Sequence, residues 1–313
     1  MHKVLNCFMN SEMSFLYRIR KVSGFWPGCF VLLLLCCYGR VSAQYQIPFI
    51  NYTMKNGLVQ NQVQDICQDR KGYIWIATVG GVSRFDGKNF TNFTVSNGLP
   101  VNTVTELLVD SRNRVWMTTI GGGITVYDGK SFRTYTTDDG LASNTFFSDG
   151  LNKMLLEDSQ GNIWCRTNNE GISVIGASGV MTYNKNNGLA AEQVYCFKED
   201  ARGRVLCATE TGLFVIDGGK IMHHIFENID FQDISSIVMD QNGEIWIFGK
   251  QPAQFVDDQL LVRHVFSHSG KSNMSGFVFH DRLWIAIVNE LYIFDEGKFT
   301  QVRKPDESIK KFY

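Results

Sequence analysis

Three features of the sequence predict an all-β fold. A phrase of turn residues recurs about every 40 residues, short apolar runs are bounded by Gly, Asp and Asn, and the composition is rich in aromatics (13%) and glycine (29 residues) but poor in proline (5). Hydrophobic residues make up 44% of the 313, which excludes disorder and allows a sizeable core. Thirty Lys+Arg against 31 Asp+Glu give a net charge of -1, without the basic excess of a nucleic-acid binder.

Residues 1–43 read as a cleaved secretory signal. Arg18, Arg20 and Lys21 form a basic region, residues 29–38 an apolar run, and Val41-Ser42-Ala43 a small-residue cut site, with Met13 as an alternative start. A run that short cannot span a bilayer as a helix, which takes about 20 apolar residues. The expected mature chain is therefore exported, periplasmic or extracellular, without a membrane span, and mildly acidic. It retains Cys67, Cys165, Cys196 and Cys207. Their spacing suits neither a disulfide framework nor a metal site, so they are expected as core thiols, with Cys196 and Cys207 the one pair placed to form a disulfide.

The repeat organises residues 44–303. Asn56-Gly57-Leu58 with Asn61 returns as Asn97-Gly98-Leu99 with Asn102, as Asp139-Gly140-Leu141 with Asn144, and as Asn187-Gly188-Leu189. An aspartate lies six residues before each of Trp75, Trp116, Trp164 and Trp246; Asp200 keeps that spacing before Leu206, and Trp284 marks a sixth, worn copy. In the first copy, strands are predicted at 62–68, 73–78, 81–85 and 89–94, separated by Gly- and Asp-containing turns. No segment shows a sustained helical stripe. Four strands per unit of about 40 residues predict a β-propeller of four-stranded blades with six repeats visible. Residues 47–53 resemble a fourth strand without its first three, so the expectation is a seven-bladed type of ring left incomplete, with an open or imperfect gap. Residues 304–313 are expected to be a tail or the start of a truncated next blade.

The phrases Asn-Gly-Leu-x-x-Asn-x-Val at 56–63, Asp-x-x-Gly-x-Ile-Trp-Ile-Ala-Thr at 69–78 and Phe-Asp-Gly-x-x-Phe-x-x-Phe-Thr at 85–94 resemble the two-component regulator propeller repeats found in exported sensor regions of hybrid two-component and histidine kinase regulators. The resemblance covers about 45–303. It implies an outward-looking, non-enzymatic sensor for carbohydrate-derived ligands, followed in that family by a membrane helix and a kinase that have no counterpart in this sequence. The Asp-x-x-Gly-x-Ile-Trp phrase also resembles streptogramin lyase propellers and, more loosely, the Asp-box of sialidases. An enzyme of either kind and a protein-interaction scaffold are the alternatives.

The residues themselves point to no catalytic constellation. Asp69, Asp110, Asp158, Asp200 and Asp240 hold one turn position, where an aspartate caps its own turn, and the Asp86-Gly87 and Asp128-Gly129 pairs suit hairpin turns. His264 and His268 have the spacing of a helical metal pair, but four strand residues span about 13 Å, too far for one zinc. No metal or cofactor is expected. The loops from strand four to strand one and from strand two to strand three should share one face. There the copies diverge into polar groups, and Arg166, Glu170, Glu210 and Lys250 are the candidate ligand-binding residues for a small-molecule or oligosaccharide ligand. Asn61, Asn102 and Asn144 are expected to fix turns. A membrane kinase or a second copy of the chain are the expected protein partners.

Overall fold

The computed structural model describes residues 50–148, 153–167, 169–225, 234–240, 243–249, 254–256, 262–265, 274–280, 282–287, 290–295 and 298–302. By contacts the chain divides into Met1–Asn51 and Tyr52–Tyr313, and every strand among the described residues belongs to the second unit.

The strands form six four-stranded antiparallel sheets, each in simple up-and-down order. Blade 1 comprises β1 (Val63–Gln68), β2 (Ile74–Thr78), β3 (Gly81–Phe85) and β4 (Phe90–Phe93), and blade 2 comprises β5 (Val104–Val109), β6 (Val115–Thr119), β7 (Ile124–Tyr127) and β8 (Phe132–Tyr135). Blade 3 follows with β9 (Leu155–Glu157), β10 (Ile163–Arg166), β11 (Ile172–Gly176) and β12 (Gly179–Tyr183), and blade 4 with β13 (Val194–Glu199), β14 (Val205–Thr209), β15 (Gly212–Asp217) and β16 (Lys220–His224). Blade 5 is β17 (Ile234–Met239), β18 (Ile245–Gly249), β19 (Gln254–Val256) and β20 (Val262–Val265); blade 6 is β21 (Met274–Phe279), β22 (Arg282–Ile287), β23 (Glu290–Asp295) and β24 (Lys298–Gln301). The β-propeller expected from the repeat is the fold found.

The first strands of neighbouring blades touch, as β1 does β5 and β17 does β21, so strand one is innermost. The core is correspondingly divided into five apolar clusters, one between each consecutive pair of blades. Alternation along each strand sends neighbouring side chains to opposite interfaces. Trp116 packs toward blade 3 while Val115 and Met117 pack toward blade 1. Among the described residues no such cluster joins blade 6 to blade 1.

The repeated phrases explain why each blade closes on itself. Asp69 Oδ1 accepts the amides of Lys71 and Tyr73, and its Oδ2 accepts the Trp75 indole N–H at 2.9 Å. The same indole tie recurs at Asp110 with Trp116, Asp158 with Trp164 and Asp240 with Trp246. Turn capping is thus as the sequence predicted, and the indole tie adds a buried hydrogen bond across it. The first three Asn/Asp-Gly-Leu phrases close single 3-10 turns. Thr53, Thr94 and Thr136 cap the turns, and Gly57, Gly98 and Gly140 end them at φ near +105°, a conformation open to glycine. Asn61, Asn102 and Asn144 each accept a turn amide at 2.8 to 2.9 Å. In blades 1 to 4 a threonine at or just after the end of the second strand donates its hydroxyl to a glycine carbonyl, as in Thr78 to Gly81, Thr119 to Gly123, Thr167 to Gly171 and Thr209 to Gly212.

Two expectations are corrected or delimited. Cys196 and Cys207 do not form a disulfide. Cys196 pairs in register with Ala208 and Cys207 with Phe197, so the two thiols leave opposite faces of the sheet, Cys196 toward blade 5 and Cys207 toward blade 3. All four described cysteines are free. His264 lies on β20 and His268 outside the described residues, among which no cluster of potential metal ligands occurs.

Candidate functional site

The loops predicted to share a face do so. Val59 donates its amide to the Ser83 hydroxyl, Ile120 to the Thr103 carbonyl, and Glu192 and Gln193 donate theirs to the two oxygens of Glu210 at 2.6 and 2.9 Å. Glu210 therefore straps the loop from β12 to β13 onto the loop from β14 to β15.

Between blades 3 and 4 the structure gathers several of the residues singled out by sequence. Arg166 ends β10 and is buried, 3% exposed. Its Nε donates to the Lys153 carbonyl at 3.3 Å and its Nη1 to the Val194 carbonyl at 3.2 Å. The equivalent position is Ala77 on blade 1, Thr118 on blade 2, Ala208 on blade 4 and Phe248 on blade 5, so a long cation here fills space that blades 1, 2 and 4 give to small side chains. Glu170 is exposed on the loop from β10 to β11, where its amide donates to Thr167. Gln193 joins the two loops, its side chain donating to Asn169 while its amide goes to Glu210. Lys250 lies outside the described residues. Three of the four candidates thus sit on adjoining segments, with Arg166 recessed, Glu210 engaged by backbone amides and Glu170 facing solvent.

A second group lies along the inner strands and was not singled out by sequence. Asp65 on β1 accepts the Leu107 amide of blade 2 at 2.9 Å and the Lys153 ammonium at 2.8 Å, an ion pair that reaches from blade 1 to blade 3. Glu106 on β5 is almost wholly buried, and its two oxygens accept the amides of Met154 and Leu155 at 2.8 and 3.2 Å. Burial pushes the Glu106 carboxyl up to about 7, against the opposing pull of the Met154 amide, the Lys153 charge and the Leu155 amide. Asp65 and Glu106 occupy the position filled by Met154, Cys196 and Ser236 in blades 3 to 5. That departure is visible in the aligned copies once the register is known. Because Arg166 donates to the carbonyl of Lys153, the inner-strand group and the loop group are contiguous.

The arrangement offers charges of both signs and many amide and hydroxyl groups. Of the described histidines, His223 stacks on Phe214 at 4.1 Å with its ring nitrogen at the Thr211 carbonyl, and His280 follows β21. Among the described residues neither of these nor His224 hydrogen-bonds to Glu106, Glu170 or Glu210.

Residues 57–80, from the first Asn-Gly-Leu turn through β2, match the family described as two component regulator propeller. The chain carries a two-component regulator propeller repeat. Among solved structures, the extracellular domain of BT3049 from B. thetaiotaomicron, described as a hybrid two-component system, is 24% identical with a TM-score of 0.60, covering 82% of this chain and 37% of that one. The extracellular domain of BT4673 from the same organism is 18% identical at a TM-score of 0.60, covering 78% and 37%. Virginiamycin B lyase of Staphylococcus aureus is 14% identical at 0.59, covering 78% and 86%. At these identities the likeness shows the propeller fold. The chain spans about two fifths of the length of these two extracellular domains. A search of curated proteins finds no significant match.

Proposed function

We propose that this chain is an exported, ligand-sensing propeller of the two-component regulator type, taking a polar, carbohydrate-type ligand on the face that carries the loops from strand four to strand one and from strand two to strand three. The observation that carries the reading is the regulator-propeller match over 57–80. It is supported by the gathering of unlike polar groups between blades 3 and 4. Arg166, Glu170, Glu210 and Lys250 are the proposed ligand-binding residues, with Glu170 facing solvent and Arg166 and Glu210 also tied to the segments beside it. A sensor acts through a ligand's differential affinity for two states, and loops strapped by a few hydrogen bonds onto the stack of sheets provide a part that can shift. The downstream partner is a kinase-bearing membrane protein. Among the described residues no helix is long and apolar enough to cross a membrane.

The test is a thermal-shift screen of the protein against glycan oligosaccharides, repeated with Glu170→Ala and Lys250→Ala. A ligand at 100 times its Kd adds about 2.7 kcal/mol of stability. A shift present in the parent and reduced in both variants is the expected result; a shift untouched by either variant moves the site elsewhere, and the absence of any shift overturns the carbohydrate reading.

A further inference from the structure

We propose that the groove between the outer strands of blades 1 and 2 binds a hexuronate residue of an acidic glycan, its ring over Phe93, Tyr127 and Phe132 and its carboxylate met by Arg84 and Lys130. This site stands apart from the residues proposed above and rests on two departures of these blades from the pattern of the others. The groove has a volume of about 380 Å³, within the range of small-ligand sites. Its walls include Thr91 and Phe93 of β4, Asn97 of the 3-10 turn that follows, and Tyr127, Lys130 and Phe132 around the hairpin from β7 to β8.

The first departure is a cation. The residue paired in register with the tryptophan, or with Leu206 in its place, is Arg84 in blade 1 but Val126, Val174, Val215, Phe255 and Ile293 in blades 2 to 6. Arg84 pairs with Thr91 across the sheet. Its guanidinium lies 4.7, 5.7 and 5.9 Å from the rings of Tyr73, Trp75 and Phe93, on the face of blade 1 turned toward blade 2. In blade 2 a cation also covers the tryptophan, but there Arg114 is neutralised by Asp110 at 2.6 Å. Among the described residues the Arg84 side chain makes no ion pair or hydrogen bond. A guanidinium stacked by its face keeps the N–H groups in its plane for an acceptor, and a carboxylate can take two of them at once. Lys130 adds a second, exposed charge to the groove. The carboxylates nearest in sequence, Asp86 and Asp128, each accept two amides of their own hairpin.

The second departure is aromatic. Tyr127 and Phe132 pair in register with their rings 4.8 Å apart, and Phe93 lies 5.3 and 5.6 Å from them. The same pair is Ile175 with Val180 in blade 3 and Ile216 with Ile221 in blade 4. Aromatic rings carry a negative face that receives the polarised C–H bonds of a pyranose; the aliphatic pairs offer no such plane. Beside the rings stand the Thr91 hydroxyl and the Asn97 side chain, whose Oδ1 caps the turn at Thr94 and leaves Nδ2 to donate to a ring hydroxyl. A neutral sugar would leave the two cations unmatched, and a small inorganic anion would leave the rings uncovered. A carboxylate carried on a hydroxylated six-membered ring uses both.

Calorimetric titration of the protein with trigalacturonate is expected to show saturable one-to-one binding that weakens as salt is raised. Arg84→Val, which installs the residue of blades 2 to 4, and Lys130→Ala, at an exposed hairpin position, should each weaken it by about 10-fold or more. Both variants should melt at the parent's temperature, and Lys130→Ala keeps the test open should Arg84→Val fold poorly. With trigalacturonate bound, hydrogen exchange should slow over residues 91–98 and 127–132. No saturable binding, or binding indifferent to either substitution, overturns the proposal. A neutral galactose trimer bound as tightly overturns the acidic ligand, and benzoate bound as tightly overturns the sugar. Binding that survives Arg84→Val and is lost in Glu170→Ala overturns the groove in favour of the loop face.

Discussion

Blades 2 and 4 share a register and a turn but are held together differently. In blade 2 the buried Asp110 accepts the amides of Arg112 and Arg114, the Arg114 guanidinium at 2.6 Å and the Trp116 indole at 2.9 Å, and Trp116 stacks on Tyr135 at 5.9 Å. In blade 4 Asp200 keeps the two turn amides and the guanidinium of Arg204, but Leu206 replaces the tryptophan and His224 the tyrosine. The inner strand differs too, with Glu106 in blade 2 and Cys196 in blade 4. Turn capping and indole anchoring are therefore separable roles of one aspartate. Blade 4 keeps the first and dispenses with the second.

The largest effect should come from removing that aspartate in each blade. Asp110→Ala orphans a buried indole and a guanidinium besides two amides, and is expected to cost roughly 3–5 kcal/mol in urea unfolding. Asp200→Ala should cost only about 2 kcal/mol, since the turn amides and the guanidinium lose their acceptor but no indole is orphaned. Equal losses would show that the indole tie adds nothing.

The inner-strand difference should appear as a pH dependence. The folded state holds the Glu106 proton more tightly than the unfolded chain, with a pKa near 7 against an ordinary 4.5. The stability this contributes is complete below pH 4.5 and is lost as the pH rises through about 7, a change on the order of 3 kcal/mol. Urea midpoints measured at pH 4.5 and pH 8 should differ by that amount in the parent and lose most of the difference in Glu106→Gln. A difference left intact in the variant would assign the titration to another group.

Rebuilding blade 2's pair in blade 4 sharpens the contrast. Leu206→Trp alone should cost about 1–3 kcal/mol by overpacking a side chain that is 1% exposed. Adding His224→Tyr removes a ring nitrogen, Nε2, that is buried without a partner and should recover part of the loss. Additive penalties would show that blade 4's interior has diverged beyond this pair. The smallest effect is expected of Lys153→Met, which removes an exposed ion pair to Asp65 worth about 0.5 kcal/mol and weakened by salt. A larger loss, insensitive to salt, would give the bridge from blade 1 to blade 3 a structural role beyond charge.

Local rules were legible in the sequence, and relations between sheets were not. The turn aspartates, the loop asparagines and the strands of blade 1 follow from residue type and spacing, because the partners lie within seven residues. Arg166 reads as a loop residue, yet its burial depends on where Val194 of the next blade falls. Cys196 and Cys207 look like facing thiols until the bulge between Val194 and Cys196 sets the register. Asp65 and Glu106 look like ordinary strand carboxylates, since the amides they accept lie about 42 and 48 residues away. Blade 6 departs at the turn itself. Trp284 has no aspartate six residues before it and donates instead to the Phe279 carbonyl.

The inner-strand acceptors also give the stack a direction. Asp65, Glu106 and Ser236 each offer an oxygen to an amide of the succeeding blade, so the sequence of sheets has a head and a tail in the way a filament of identical subunits does. A unit duplicated in tandem would find its place only in the parental orientation, and a reversed one would set oxygen against oxygen.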